Sequence, residues 1–307
     1  MNLEELMATD AQPSKDAFSD QEFAKLIRKY KGLLKERERD KAFWEATNEN
    51  LKIAYEKLDE KEQELSRAYA IIHEDLTVGR QVQQALLPRA SDRMSAELDF
   101  AVYHKQLSEV GGDYYDFFKT RTGRYAIALL DISGHGVSAA LVMTYLKALF
   151  TQIMENQESP QEIVDGVNRS CLTFLRKVKK YATVNFVVFG ETSITYTCAG
   201  GFGMILHRGE RMLFEKRDSY LGLREKPFRQ KTLPFEKGDF LVLYTDVMIE
   251  AKNTRDEDYT VSRLNELVSA NEGESVDVVL QICLEDYQAF RAKDSDDITF
   301  IALKKKA

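Results

Sequence analysis

Between Ala182 and Asp246 five β-rich runs, "TVNFVVFG", "TSITYTCAG", "GMILHRG", "RMLFEK" and "DFLVLYTD", follow one another with no helical stretch between them. Parallel neighbours need a crossover of a dozen residues or more, whereas antiparallel ones need only a tight turn, so this order excludes a doubly wound parallel sheet. Further strand-like runs, "AELDFAVYHK", "YDFFKT", "RYAIALLDI" and "DITFIAL", lie outside that block. Helical patterns fit Ser138–Glu155, Pro160–Lys179 and Ser275–Arg291. The expected class is therefore α+β, an antiparallel β-sandwich flanked by helices.

Ahead of Pro88 the composition is different. From about residue 20 to 87 there is no proline and only Gly32 and Gly79, and Glu, Lys, Arg and Gln dominate, which predicts a long helix. Phe23, Tyr30, Trp44, Leu51, Leu58, Leu65 and Ile72 fall on one seven-residue repeat, broken by Arg37. A second seam runs through Ile27, Leu34, Tyr55, Tyr69 and Leu76, with Lys41, Asn48 and Glu62 on the same track. The repeat points to a coiled coil and a parallel homodimer, registered by Asn48; the competing reading is a helical hairpin. The expected layout is a flexible segment 1–19, a coiled-coil regulatory segment 20–88 and a catalytic domain 89–307.

The bulk numbers narrow the partners. A net charge of −7 argues against a general nucleic-acid binder, which needs clustered Lys and Arg. Cys171, Cys198 and Cys283 are scattered and form no CxxC, so no disulfide framework or zinc ribbon is expected, and a reducing cytoplasm suits the chain. The amino terminus lacks a basic start and an apolar run, and no membrane insertion is expected.

Acids recur where strands end. Asp131 closes "RYAIALLD", Asp246 closes "DFLVLYTD", Asp113 follows "EVGG", and Asp296 with Asp297 opens "DITFIAL". A single carboxylate there is ordinarily a turn residue or helix cap. Four such sites gathered together would repel each other unless a cation neutralised them, and hard oxygen ligands without Cys or His select Mg²⁺ or Mn²⁺. Two such ions bridged by water would favour hydrolysis of a phosphate ester without a covalent intermediate.

"EVGGDYYDFF", "ALLDISGHGVSAALVM", "LVLYTDVMIEA" and "SDDITFIAL", in this order, resemble the signature segments of the metal-dependent protein phosphatase superfamily (PPM), in particular its bacterial SpoIIE/RsbU-type serine phosphatases. "LTVGRQVQQALLP" resembles the helix leading into that domain, so the resemblance covers about residues 76–307. It implies two stacked antiparallel sheets with helices outside. It also implies two Mn²⁺ or Mg²⁺ ions on Asp113, Asp131, Asp246 and Asp296, with the peptide carbonyl of Ile132 as a further ligand and Asp297 beside them. His135 would stand where a proton donor to the leaving serine oxygen could act, or be a turn residue. The implied substrate is a phosphoserine or phosphothreonine on a small STAS-domain protein, with an upstream regulatory protein acting through the helix.

Two departures stand out. The family commonly has glycine after the third aspartate, where this chain has Val247, so the local turn is expected to differ. Its usual Ala-Gly-His appears as "AGG" at Ala199–Gly201. A Walker loop at Ile127–Tyr145 fails for want of the Lys and Ser/Thr ending, and a receiver domain fails because strands and helices do not alternate. The rival from another class is a pseudophosphatase that keeps the fold and binds a partner through the coiled coil.

Overall fold

The computed structural model describes residues 19–88, 98–200, 202–207, 210–213 and 218–306. The proposed flexible segment thus lies almost wholly outside the described residues, as do the start of the catalytic segment at Arg89 and the glycine, Gly201, that replaces the family histidine.

Helix α1 spans Asp20–Leu86. The chain divides into two compact units between His73 and Glu74, so most of α1 forms the first unit and its last turns belong to the second. In the first unit the repeat is bare from Trp44 onward: Trp44, Leu51, Leu58, Leu65 and Ile72 are exposed, Leu65 to 70%, whereas Tyr30 earlier on the same track is buried and Phe23 half-buried. Ion pairs one turn apart, Lys61 with Glu64 and Lys41 with Glu45, line the polar faces and contribute a few tenths of a kcal/mol each.

The second unit is a four-layer sandwich. One sheet has the order β1 (Leu98–Lys105), β10 (Ile298–Lys305), β9 (Phe240–Tyr244), β6 (Phe202–His207), β7 (Glu210–Leu213). The other has β2 (Tyr114–Lys119), β3 (Tyr125–Ile132), β4 (Ala182–Phe189), β5 (Ser193–Ala199), β8 (Gln230–Pro234). All strand pairs within the sheets are antiparallel. The exposed edge strand β8 was not foreseen, because "QKTLP" has no apolar alternation.

Alternation along the strands builds three cores. Ile127, Leu129, Leu241, Leu243, Ile301 and Leu303 point between the sheets. Ala126, Ala128 and Leu130 face α2 (Val137–Met154) and α3 (Pro160–Lys177). On the other side Phe240, Val242, Tyr244, Phe300 and Ala302 face α5 (Val261–Ala270) and α6 (Val276–Phe290). Both faces of the central strands are covered, so β3 and β9 read as continuous apolar runs despite their antiparallel pairing. At about 1.5–3 kcal/mol for each buried Leu or Ile, this packing is strong enough to hold unfavourable charge at the strand ends.

Local chemistry sets the helix starts. Ser159 caps α3 by accepting from the Glu162 N–H, with Pro160 at the first helical position, and Ser275 caps α6 through Val278. By length and composition α2 is apolar enough to cross a membrane, but it buries Ala139, Val142, Met143, Leu146, Phe150 and Met154 in the sandwich. The ten-residue helix α5 went unpredicted, its amphipathic signal amounting to Leu264 and Val268 on one buried face.

Candidate active site

Register brings the acids to one edge. Tyr114 pairs with Leu130, so Asp113 and Asp131 flank the open end of the β2–β3 hairpin. Tyr244 pairs with Phe300, so Asp246 and Asp297 flank the matching end of β9–β10 in the facing sheet. Hydrogen bonds join the two ends. Thr299 Oγ1 donates to Asp113 Oδ2 at 2.7 Å and Thr245 Oγ1 to the same oxygen at 3.1 Å. The Gly112 N–H donates to Asp297 Oδ2 at 2.6 Å and the Leu107 N–H to Asp297 Oδ1 at 2.8 Å. Both oxygens of Asp297 are thereby engaged by backbone of the 107–113 loop.

The loop can approach only as glycine. A Cβ at Gly111 would collide with the Asp297 carboxylate, and one at Gly112 would stand 2.8 Å from the Ile132 carbonyl oxygen. Gly134 and Gly136, both at φ +77°, make the turn from β3 into α2 through the left-handed region. His135 lies between them, exposed. Asp296 is exposed too, and its Oδ1 accepts from the Asp297 N–H. Val247 needs no left-handed backbone: Asp246 has φ −63° and Val247 opens the short helix α4 (Val247–Glu250), buried among the core residues under α5 and α6.

Charge is poorly compensated here. Asp113 is 1% exposed and its carboxyl is held well above the usual range, first by burial and then by Asp131. Asp131 is pushed up to about 8, by burial and then by Asp246, Asp296 and Asp297, and it shares a hydrogen bond with Asp246. Asp113 Oδ1 is buried with no hydrogen-bond partner among the described residues. Among those residues no three Asp, Glu, His or Cys side chains stand close enough together to hold an ion as placed. The Asp131–Asp246 hydrogen bond between two carboxyls requires a proton on one of them, which is what the raised Asp131 provides.

Several supporting residues escaped sequence reasoning. Thr245 and Thr299 adjoin the acids in "YTD" and "DDIT", and a hydroxyl beside a strand-end acid was the available signal. Gln83 on α1 brackets the Gly111 peptide, donating to its carbonyl at 2.7 Å and accepting from its N–H at 3.1 Å. Arg80 of the same helix donates to the Glu109 carbonyl at 3.0 Å and pairs with its carboxylate. Lys147 of α2 reaches Asp116 at 2.6 Å and Tyr114 at 2.7 Å, tying that helix to β2 one residue beyond Asp113. No local pattern announces Gln83, Arg80 or Lys147.

An α–β–β–α sandwich with carboxylates at facing strand ends defines the class of the PP2C-type, or PPM, protein phosphatases. The SiaA PP2C domain of Pseudomonas aeruginosa superposes with a TM-score of 0.69 at 19% identity, covering 77% of this chain and 98% of that one. The family model for Stage II sporulation protein E (SpoIIE) matches residues 121–306, and the chain belongs to that family. Phosphoserine phosphatase RsbU of Bacillus subtilis is 26% identical over 275 residues, 83% of this chain and 77% of the relative. Phosphoserine phosphatase RsbP of the same organism is 24% identical over 184 residues, 57% of this chain, and the match spans only 45% of RsbP.

Proposed function

We propose that the chain is a metal-dependent protein phosphatase acting on phosphoserine or phosphothreonine, with Asp113, Asp131, Asp246 and Asp296 as carboxylate ligands of two Mn²⁺ or Mg²⁺ ions and the Ile132 carbonyl as a further ligand. The observation that carries this reading is Asp113 Oδ1, a buried carboxylate oxygen with no hydrogen-bond partner among the described residues, beside Asp131. An anion so placed is costly without a cation, and the donor set is all oxygen. When bound, the ions supply an activated water and neutralise the phosphoryl oxygens.

The chain's own residues do the rest. Thr245 and Thr299 fix Asp113 by one oxygen. Asp297 holds the 107–113 loop against β10, a supporting role beside the four ligands. His135, exposed on its glycine turn, can meet a docked phosphoprotein and protonate the leaving serine oxygen. The substrate that fits the SpoIIE/RsbU likeness is a STAS-domain protein.

Residues 20–88 form the regulatory segment and 89–307 the catalytic domain. The bare apolar track on α1 argues for a parallel homodimer, since such a stripe is disfavoured in water. An upstream partner acting on α1 would be felt at Asp113, because Arg80 and Gln83 grip the loop before it. The three cysteines are buried and unpaired, in keeping with a reducing cytoplasm.

The test is hydrolysis of a phosphoserine protein by the full chain with Mn²⁺ and with chelator, and by residues 74–307, which keep the Gln83 clasp. Mn²⁺-dependent turnover is expected. A folded protein inert under both conditions would favour the partner-binding pseudophosphatase. Sedimentation of the full chain at micromolar concentration should give a dimer, and a monomer would remove the coiled-coil reading.

A further inference from the structure

We propose that His104 is a positioning residue for Asp113, acting through Thr299. His104 lies on β1 and is the register partner of Thr299 on β10, the two residues being 195 apart in sequence. His104 Nδ1 is 2.9 Å from Thr299 Oγ1, which is itself 2.7 Å from Asp113 Oδ2. A hydroxyl has one proton to give. When Asp113 is ionised, Thr299 must donate to it and accept from His104, so Nδ1 carries the imidazole proton. The ring is further fixed by an edge contact to Tyr115 at 5.7 Å between centroids, and its Nε2 is buried without a hydrogen-bond partner among the described residues. Burial lowers the basicity of this histidine, and in the neutral ring the single proton then sits on Nδ1, facing Thr299.

The consequence is directional. With Thr299 and Thr245 both donating to Oδ2, Asp113 keeps Oδ1 turned away from them. Without the His104 N–H, the threonine hydroxyl is free to turn, and the carboxylate loses its fixed orientation. Outer hydrogen-bond partners of metal ligands act in this way, and losing one commonly costs about tenfold to a hundredfold in metal affinity. The proposal rests on Asp113 being a ligand.

The experiment is Mn²⁺ titration calorimetry on the full chain, with metal-free thermal melting in parallel. His104→Leu removes the donor, whereas His104→Asn places an amide N–H near Nδ1. His104→Leu is expected to bind Mn²⁺ about tenfold or more weakly and His104→Asn to recover most of the loss, while the two melt alike. Unchanged affinity in His104→Leu, or equal loss in both variants, overturns the proposal. Should His104→Leu fail to fold, Thr299→Val with and without His104→Asn decides: once Thr299 is gone, position 104 must no longer affect Mn²⁺ affinity, and a further change would overturn the relay. Asp113→Asn separates the two readings. If it binds Mn²⁺ normally the ligand assignment falls and the proposal with it, and if it loses Mn²⁺ while His104→Leu does not, the proposal alone falls.

Discussion

Acids meet the β2–β3 hairpin at both ends and are treated in opposite ways: Glu158, from the segment between α2 and α3, packs on its turn, and Asp113 and Asp131 stand at its open end. At its turn Glu158 receives Thr122 Oγ1 at 2.8 Å and Arg124 at 3.3 Å, with Arg121 at 3.6 Å, and its carboxyl is lowered, first by the Thr122 hydrogen bond. At its open end Asp113 and Asp131 face further carboxylates and are raised. The outer helices repeat the first pattern, where Arg263 grips Asp286 through two bonds of 2.7 Å and lowers it. A carboxylate thus serves structure where a cation of the chain meets it, and is held raised where only other carboxylates face it. Perturbed acids of the second kind mark functional sites.

The largest test of that contrast is Asp131→Asn. Phosphatase turnover should fall by about a thousandfold or more, since several kcal/mol of transition-state stabilisation depend on the ions it would hold. The metal-free melting temperature should stay level or rise, because a buried repulsion is removed. A melting temperature that dropped sharply would show Asp131 to be a structural acid like Asp286.

The pH dependence of the metal-free protein comes next. An acid whose folded pKa is raised binds more protons in the native state than in the unfolded one, so its contribution is complete below the unfolded value near 4 and is lost as pH rises through the folded one. For Asp131 that upper bound is about 8. Melting temperature without metal should therefore fall from pH 5 to pH 8, and saturating Mn²⁺ should flatten the slope. A rise over that interval would contradict the assignment. Gln83→Ala should have a smaller effect, a loss of turnover of about tenfold with little change in melting, as expected for one loop contact near the site.

Smallest of all is Glu158→Gln, at the acid between α2 and α3 that packs on the hairpin turn. Its partners are exposed arginines, and such pairs are worth little, so melting should move by less than about 2 °C and turnover should be unchanged. A large loss of activity there would erase the distinction between the two ends.

Much of this architecture was legible in the chain. The strand succession after Ala182 required antiparallel sheets, and the proline-free stretch before Pro88 required a helix. The candidate site was readable as five aspartates at strand ends, and in the structure Asp113, Asp131, Asp246, Asp296 and Asp297 act on one another electrostatically. Its supports were not. Gln83, His104 and Lys147 sit in segments whose local patterns only say helix or strand, and their partners lie tens to hundreds of residues away.

What the sequence determined by itself is that the strands follow one another antiparallel, that they end in acids and that a proline-free run forms a helix, because turn length, charge and helix propensity are local properties. Tertiary structure alone decided that β1 closes against β10, the first strand of the sandwich on the last. That pairing places His104 beside Thr299, and the stacking of the sheets places Thr299 on Asp113. Registers of this kind come from hydrogen bonding and packing between distant segments, and no short stretch of sequence encodes them.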